Sequence, residues 1–407
     1  MSKFVYAIAT MDTKGLELAY VADCLRTAGV QVKMVDVGTG REPGVEPDVT
    51  RDQVCAGVPV ACHESRAEAV TAMGASLTTY LLGQCAQGQV AGVIGIGGSG
   101  GTALITAAMR TLDIGLPKLM VSTVASGNTA PYIDCSDITM MHSVVDVAGI
   151  NVVSRKVLGN AAHAMAGMVL NDLKPEDPKS TIAMTMFGVT TTCVDAVRIA
   201  LEEKGNQCLV FHATGTGGRA MEQLVESGWV QGVMDITTTE VADEVVGGVF
   251  PAGGERFDRL IRSGIPLVIS LGALDMVNFG ARESVPSQFS GRQFHVHNAQ
   301  VTLMRTSVDE NVAIARWMAD KIRGANAPVA VLIPELGLSA LDAPGQPFHD
   351  PIANGVLFSE LDAQLQGCPA CRLVRLPMHI NEPAFAEALM DHYENIAGCT
   401  TNDPESN

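Results

Sequence analysis

The sequence is poor in basic residues and has no long apolar run. Its 407 residues include 27 Lys and Arg against 44 Asp and Glu, a formal net charge of −17 at pH 7. This surplus of acid repels nucleic-acid phosphates and anionic membrane surfaces, so we expect neither as a partner. No apolar run is long enough to cross a membrane, and the first residues lack the features of a secretion signal. We therefore expect a cytoplasmic protein.

Several reactive motifs are also missing. The ten cysteines lack the spacing of a disulfide framework, which predicts reduced, mostly buried thiols. We assign no role to the single pair in Cys368-Pro369-Ala370-Cys371. There is no Gly-x-x-x-x-Gly-Lys-Ser/Thr pattern, which excludes a P-loop, and no Gly-x-Ser-x-Gly elbow. Cys193 has no identifiable histidine partner, so nucleophilic hydrolysis is not supported.

What is present is an alternation of short apolar strands and helices, with glycine or polar residues at each boundary. Strands predicted at 4–9 and 30–37 flank a helix at 16–27, and the pattern restarts at 181–186. A segment with two prolines, 174–179, precedes the restart, and the chain is too long for one ordinary core. The prediction is an α/β protein of two Rossmann-like domains, residues 1–175 and 180–399, each with a mainly parallel sheet flanked by helices.

The glycine-rich turn at 95–102 is the most informative segment, because an apolar strand there runs into a helix. Glycines admit positive φ and bring successive amides close to an anion, while the helix offers its positive dipole end. The turn matches the dinucleotide fingerprint, but the next strand, 118–122, ends without the acid that binds a ribose. A phosphate cradle is therefore favoured over NAD, and an ordinary tight turn is the alternative. The cradle residues are Gly97, Gly98, Ser99, Gly100, Gly101 and Thr102.

Other strand ends in the first half supply groups that a nucleotide requires. Lys14 is suited to neutralise phosphate, and Asp12 to hold a magnesium ion, although helix capping explains Asp12 equally well. Asp36 ends the second strand in position for a ribose or base contact. The residues predicted to bind the cofactor are Thr10, Asp12, Thr13 and Lys14 after the first strand, Asp36 and Gly38 after the second, and Ser126, Gly127, Asn128 and Thr129 after a later one.

A second glycine-rich turn, at 213–220, repeats this arrangement in the second half. Its Gly215-x-Gly217-x-x-Ala220 pattern precedes a strand ending at Asp235, which leaves an NAD-dependent dehydrogenase open as an alternative. The hydroxyls and acid at 236–240 suggest a small-molecule or anion site, and the spacing does not decide between these two alternatives. The substrate-binding candidates are Gly188, Thr190, Thr214, Gly215, Thr216, Gly217, Gly218, Thr238 and Asn278. The catalytic candidates, for an enzyme acting on a small anionic metabolite in a cleft between the domains, are His212, Glu240, Asp275, His297 and Arg305.

His295 and His297 lie two residues apart in a predicted extended segment and would project from one face. Two histidines are too few for a metal site; Asp275, Glu240 and His349 are conceivable further ligands, but histidines bonded to backbone are commoner. Three arginines, Arg219, Arg256 and Arg305, are candidates for binding carboxylate or phosphate. Surface salt bridges are the default explanation for them.

A set of short motifs spans nearly the whole chain, through about residue 351. They lie at 9–15, 95–102, 122–129 and 136–146 in the first half, and at 186–190, 211–218, 235–240, 275–280 and 334–339 in the second. Together they resemble an ATP-binding family typified by the amino-terminal region of the tomato mosaic virus resistance protein. The resemblance implies two Rossmann-like domains, ATP with magnesium in the first, and a homodimer.

The leading hypothesis is therefore a cytosolic, homodimeric ATP-binding protein of small-molecule metabolism, with the nucleotide at the first-domain strand ends. No reaction follows from the resemblance. The enzyme on an anionic metabolite is the first alternative, and a pure interaction module is the last.

Overall fold

The structure is a computed structural model that describes residues 3–56, 65–171 and 179–400. The chain divides into two compact units, Met1–Glu176 and Asp177–Asn407. Each contains a parallel sheet with helices on its faces, which confirms the predicted α/β class with two Rossmann-like domains. The predicted proline-rich segment falls almost entirely outside the described residues. Within those ranges, none of the helices combines the length and the apolar character that crossing a membrane requires.

The first unit is built on a five-stranded parallel sheet with strand order β2-β1-β3-β4-β5. Alternate residues of β1 enter two different cores, because successive strand side chains point to opposite faces: Val5 and Ala7 pack on one face, Tyr6 and Ile8 on the other. The strands are β1 (Phe4–Ala9), β2 (Val32–Asp36), β3 (Val90–Gly97), β4 (Lys118–Ser122) and β5 (Thr139–His142). The helices are α1 (Met11–Thr27), α2 (Arg51–Val54), α3 (Arg66–Ala86), α4 (Ser99–Met109), α5 (Ala130–Ile133) and α6 (Val152–Leu170).

Two features of the first unit differ from the sequence-based expectation. Helix α1 begins at Met11, five residues earlier than predicted, and is interrupted at Lys14, where φ is −129° and ψ is 23°. Residues 41–62 show no hydrophobic periodicity, which predicts a long loop without helices, but this part of the chain contains the short helix α2, whose start is fixed by a capping box between Thr50 and Gln53.

The second unit has a six-stranded parallel sheet of order β14-β13-β9-β8-β6-β7 and a three-stranded antiparallel sheet of order β10-β12-β11. Its strands are β6 (Thr181–Met186), β7 (Gln207–His212), β8 (Gly232–Thr237), β9 (Leu267–Gly272), β10 (Met276–Phe279), β11 (Phe294–Asn298), β12 (Val301–Arg305), β13 (Val329–Pro334) and β14 (Cys371–Leu376). Its helices are α7 (Thr191–Glu203), α8 (Thr216–Glu226), α9 (Thr239–Val246), α10 (Asp258–Ser263), α11 (Val308–Ile322), α12 (Pro351–Leu365) and α13 (Pro383–Thr400).

Each parallel sheet reverses its strand order beside its first strand. In the first unit, β1 lies between β2 and β3, and in the second, β6 lies between β7 and β8. Ligands of such sheets bind in the crevice outside the carboxyl ends of the strands at this point. Since Ala9 is paired with Ile96, the loops after β1 and β3 start side by side at the edge of the crevice.

Candidate functional site

The first glycine-rich turn joins β3 to α4 without a left-handed residue. Gly98 precedes the helix in an extended conformation, with φ −80° and ψ −164°, and contributes no side-chain cap. Residues with positive φ occur elsewhere in the chain, but none of the glycines at 95–101 is among them. The expectation that these glycines supply positive φ is therefore wrong, because an extended residue is enough to lead this strand into this helix.

Packing requires only part of this turn to be glycine. A Cβ on Gly97 would lie 2.8 Å from the Thr102 amide nitrogen, so that position is fixed by close strand–helix contact. A Cβ on Gly100 would meet nothing within 4 Å. A Cβ on Gly98 or on Gly101 would have its nearest neighbouring atom at 3.8 Å. Since helix propensity disfavours glycine, neither packing nor backbone conformation explains Gly98, Gly100 and Gly101. At these three positions no Cβ covers the start of α4, where Ser99 and Gly100 are exposed.

The two hydroxyls predicted at this turn face different ways. Ser99 is exposed, whereas Thr102 is fully buried and its Oγ1 lies 2.6 Å from Ser122 Oγ. The Thr102 hydroxyl therefore links α4 to β4 beneath the turn, and Ser99 is the hydroxyl on its outer side. The loop predicted at 126–129, which follows β4, is largely exposed.

Asp36, at the end of β2, organises the neighbouring loops. Its Oδ1 accepts hydrogen bonds from the amides of Met11 (3.0 Å) and Gly38 (2.8 Å), and its Oδ2 accepts one from Arg51 Nε at 2.8 Å. Arg51 also donates to the carbonyl of Arg41 at 2.9 Å. Both Asp36 oxygens are thus engaged by the protein, and Arg51, which sequence reasoning missed, fixes the loop after β2.

Asp12 presents a carboxylate oxygen that has no hydrogen-bond partner among the described residues. Its Oδ2 accepts from the Gly40 amide at 3.1 Å, while its Oδ1 is buried and unpaired. A Cβ on Gly38 would lie 3.0 Å from that Oδ1, so glycine allows the loop after β2 to close on the carboxylate. An unpaired carboxylate oxygen at a strand end is a suitable ligand for Mg²⁺.

The other polar residues after β1 make separate contacts. Lys14 lies at the interruption of α1 and donates its Nζ proton to the Val147 carbonyl at 2.6 Å. The hydroxyls of Thr10 and Thr13 are 3.2 Å apart. Most of the first-unit cofactor candidates thus lie along the carboxyl edge of one sheet.

The second glycine-rich turn differs because a side chain of the same unit occupies its amides. Glu240 Oε1 accepts hydrogen bonds from the amides of Gly215 at 2.7 Å and Gly218 at 3.1 Å. Gly215 has φ +80°, a Cβ on Gly217 would overlap the His212 carbonyl, and one on Gly218 would overlap the Glu240 carboxylate. Each glycine of this turn is therefore explained by the fold itself. The carboxylate takes the place at the helix start that a bound anion would take.

Glu240 belongs to a buried cluster around Arg256, whose side chain has no exposed surface. The Arg256 guanidinium donates to Asp235 at 2.6 Å, Glu222 at 2.9 Å and Glu240 at 3.1 Å. Burial raises the pKa of Glu222, with Arg256 acting in the opposite direction. The default explanation of a surface salt bridge is wrong for Arg256. Asp235, on which the dehydrogenase alternative depended, is bound to Arg256 and to the Thr185 hydroxyl.

The catalytic and polar candidates of the second unit do not gather at one place, although Asp275 and Arg305 are in contact, with Arg305 Nη1 donating to the Asp275 carbonyl at 3.3 Å. Glu240 contacts Arg256; Asn278 bonds to the buried Asp243; and Asp275 accepts from Ser339 Oγ at 2.8 Å. Arg305 is also buried, with its Nε bonded to the Phe348 carbonyl and its second terminal nitrogen to Asn354 Oδ1. His212 is exposed and packs against Phe187 with the two ring planes tilted by 34°, and His297 is exposed on β11.

The other substrate candidates flank the strand ends of this sheet. The hydroxyl of Thr190 lies 2.7 Å from that of Thr237, and Thr238 donates to the Ser270 carbonyl at 3.0 Å. Thr190 and Thr238 are fully buried and join neighbouring segments of the sheet edge. Gly188 is exposed, and a Cβ there would meet nothing within 4 Å.

Neither the histidine pair nor the Cys-x-x-Cys motif forms a metal site in the part of the chain that the structure describes. No group of three or more His, Cys, Asp or Glu side chains there is placed to hold a metal ion. The His295 ring packs edge-on against Phe348, with ring centroids 6.3 Å apart. Burial raises the pKa of the Cys371 thiol to about 12, which makes it a poor nucleophile and metal ligand.

Asp275 supports a prediction on pH dependence. Burial, followed by the nearby Asp342, raises its pKa from 3.8 to about 7, so the folded protein retains a proton that the unfolded chain releases above pH 4. The free energy of unfolding should therefore fall as the pH rises from 4 to 7, and Asp275→Asn should remove this contribution. We expect the variant to gain stability relative to wild type over that range and the difference to level off above it.

Chemical denaturation of both proteins at pH 5, 6, 7 and 8 measures this difference. Asp258→Asn, at a partly exposed pair with Lys321, is the matched control. A difference between Asp275→Asn and wild type that does not change with pH would contradict the assignment.

The fold and the strand-end crevices define a two-domain α/β protein with doubly wound sheets. The chain belongs to the family described as uncharacterised protein family UPF0261: its N-terminal domain model matches residues 3–174 and its C-terminal domain model residues 179–397. The predicted resemblance to the tomato protein is thereby confirmed at the level of family, because relatives in tomato match as well.

Three relatives illustrate the similarity. A UPF0261 protein of Rhizobium meliloti is 50% identical, covering 97% of this chain and 99% of the relative. A UPF0261 protein of Clostridium tetani is 42% identical, covering 97% and 99%. The ToMV resistance protein Tm-1 of Solanum lycopersicum is 46% identical over 97% of this chain, which spans 56% of the tomato protein. A solved structure of the glycosyltransferase VinC in complex with DTDP aligns over 98% of both chains, at 12% identity and a TM-score of 0.18, too low to carry an argument.

Proposed function

We propose that this protein binds ATP with magnesium at the carboxyl edge of the first-unit sheet, and that it does so as a cytosolic homodimer acting in small-molecule metabolism. The contrast between the two glycine-rich turns carries the proposal. In the second turn, Glu240 already bonds to the helix-start amides. In the first, Gly98, Gly100 and Gly101 place no Cβ over the helix start, although packing does not require glycine there. A helix start of this kind is suited to a phosphate group.

Other residues at this sheet edge are suited to bind the magnesium ion and to offset the charge of the phosphates. The unpaired Asp12 Oδ1 is the group suited to hold magnesium, whose bound charge would offset that of the phosphates. Lys14, at the interruption of α1, supplies a positive charge at the same sheet edge. Its bond to a single backbone carbonyl is one that a phosphate oxygen can replace at little cost. The exposed segment at 126–129 adds polar groups after β4.

Substituting alanine for Gly100 and Gly101 distinguishes an effect on Mg-ATP binding from an effect on stability. Both residues are in the first turn of α4, and an added Cβ fits at each, so the double substitution should raise stability by about 0.5–1 kcal/mol per residue. The same methyl groups narrow the approach to the backbone amides. We expect the dissociation constant of Mg-ATP, measured by isothermal titration, to rise at least about tenfold, which corresponds to ~1.4 kcal/mol.

The matched control is Gly83→Ala, in α3 of the same unit, where a Cβ also meets nothing within 4 Å. It should stabilise the protein to a similar degree and leave Mg-ATP binding unchanged. Folded wild-type protein that does not bind Mg-ATP would remove the proposal. Equal binding by wild type and by the Gly100→Ala/Gly101→Ala variant would remove the first turn from it.

A further inference from the structure

The second unit contains a concave pocket that the proposed nucleotide site does not use. It has a volume of about 460 Å³ and lies beyond the carboxyl end of β13, the edge of the sheet at which ligands bind in this class of fold. Leu336, Ala343, Pro344 and Pro351 supply apolar wall. The polar and charged lining residues are Glu335, His349, Asn354, His379 and Glu382. A pocket of this size, with apolar walls and convergent polar groups, suits a small molecule.

A buried carboxylate lies behind His349 and Asn354. Asp342 is 0% exposed, and its Oδ2 accepts hydrogen bonds from the Leu338 amide at 2.9 Å and from Asn354 Nδ2 at 2.7 Å. Its Oδ1 is buried without a hydrogen-bond partner among the described residues, and His349 Nδ1 lies 4.0 Å from it. A buried carboxylate oxygen left without a donor is costly, and movement of the imidazole by about 1 Å would complete a hydrogen bond.

The two histidines of the pocket have different roles. His379 has both ring nitrogens engaged: Nε2 lies 2.9 Å from the Ser339 carbonyl, and Nδ1 accepts from the Asn381 amide at 3.1 Å. That ring is held by the backbone. The His349 side chain is one-third exposed and turns Nδ1 towards Asp342. Its Nε2, on the opposite side of the ring, is thereby left for the pocket.

We propose that Asp342 and His349 form a hydrogen-bonded pair that recognises the hydroxyl group of a small, uncharged molecule bound in this pocket, with His349 Nε2 as the acceptor. Asp342 is a positioning residue: by accepting from Nδ1–H it leaves the lone pair on Nε2. The hydroxyl group of the bound molecule then donates a hydrogen bond to this lone pair.

The charges around the pocket favour an uncharged ligand over an anion. Glu335 and Glu382 both line it, and Asp342 lies behind it. Arg375 bonds to Glu335 at 2.7 Å but also to Asp362 at 2.8 Å, so it does not offset the other acids. The charge balance of this pocket therefore opposes an anionic ligand.

NMR of protein labelled with ¹⁵N-histidine tests the pair directly. An imidazole N–H proton bonded to a buried carboxylate resonates strongly downfield, and we expect one such signal that disappears in both His349→Gln and Asp342→Asn. His297→Gln, at an exposed histidine of the same unit, should retain it. A folded wild-type protein without the signal, or a signal that survives in Asp342→Asn, would overturn the pair. Since His349 is partly exposed, its glutamine variant should fold even if the aspartate variant does not.

Benzyl alcohol and benzoate, which share a shape and differ in charge, test the pocket. Benzyl alcohol should shift the His349 ring signals and bind at least about tenfold more weakly to His349→Gln, while benzoate at equal concentration should leave those signals unchanged. An equal response to benzoate, or unchanged binding of the alcohol by His349→Gln, would refute the proposed ligand class. Neither readout depends on nucleotide binding by the first unit.

Discussion

Replacing Arg256 by methionine is expected to lower the free energy of unfolding of the second unit by about 3–5 kcal/mol. The guanidinium is the shared partner of Asp235, Glu222 and Glu240, and all four side chains are buried. Methionine fills much of the same volume but leaves three carboxylates without their cation. Such a group must either remain charged in a medium of low polarity or take up a proton, and both are costly. Denaturant unfolding followed by circular dichroism measures the loss.

Arg259→Met is the matched control. Arg259 also pairs with a glutamate, Glu226, at 3.1 Å, but both side chains are substantially exposed. Its loss should cost about 1 kcal/mol or less, as is usual for surface pairs. If the two arginine variants lose similar stability, the buried cluster is not the strong determinant of folding that its geometry indicates.

Gly217→Ala is expected to destabilise the second unit by about 1–3 kcal/mol. The added Cβ would overlap the carbonyl of His212, a backbone group at the end of β7 that cannot rotate away. Helix α8 would have to move, and with it the amide of Gly218, which bonds to Glu240. Thermal unfolding of the variant measures the effect.

Gly355→Ala, in α12 of the same unit, is the comparison for that prediction. A Cβ there meets nothing within 4 Å, so alanine should raise stability by about 0.5–1 kcal/mol. We expect Gly217→Ala to lower the stability and Gly355→Ala to raise it. A stabilised Gly217→Ala protein would show that α8 does not pack as closely on β7 as described.

The parallel strands were the most predictable part of the fold. Phe4–Ala9, Lys118–Ser122 and Thr181–Met186 have the predicted ends, because strands buried on both faces are continuous apolar runs bounded by polar or glycine residues. Strands β10 and β12 were missed. They are short, and they pair with each other across some twenty intervening residues, so no local periodicity marks them.

For the site, the sequence predicted only its location at the strand ends. Two glycine-rich turns of similar sequence have opposite environments, and the difference depends on Glu240, which is 25 residues from Gly215. The same limitation applies to Arg51, which fixes Asp36 from the far side of a loop, and to the pair of Asp342 and His349. Spacing along the chain identifies which residues have suitable chemistry. It does not show which of them already have a partner within the protein.

At the second turn, an anion must compete with the Glu240 carboxylate for the backbone amides. A soluble anion that approached the amides of Gly215 and Gly218 would have to displace a group attached to the same chain. Tethered groups act at effective concentrations of millimolar or more, and here the carboxylate is also held by Arg256. A free phosphate compound at ordinary cellular concentration would therefore be outcompeted at this turn. Because of this glutamate, an anion needs a higher affinity to bind at the second turn than at the first.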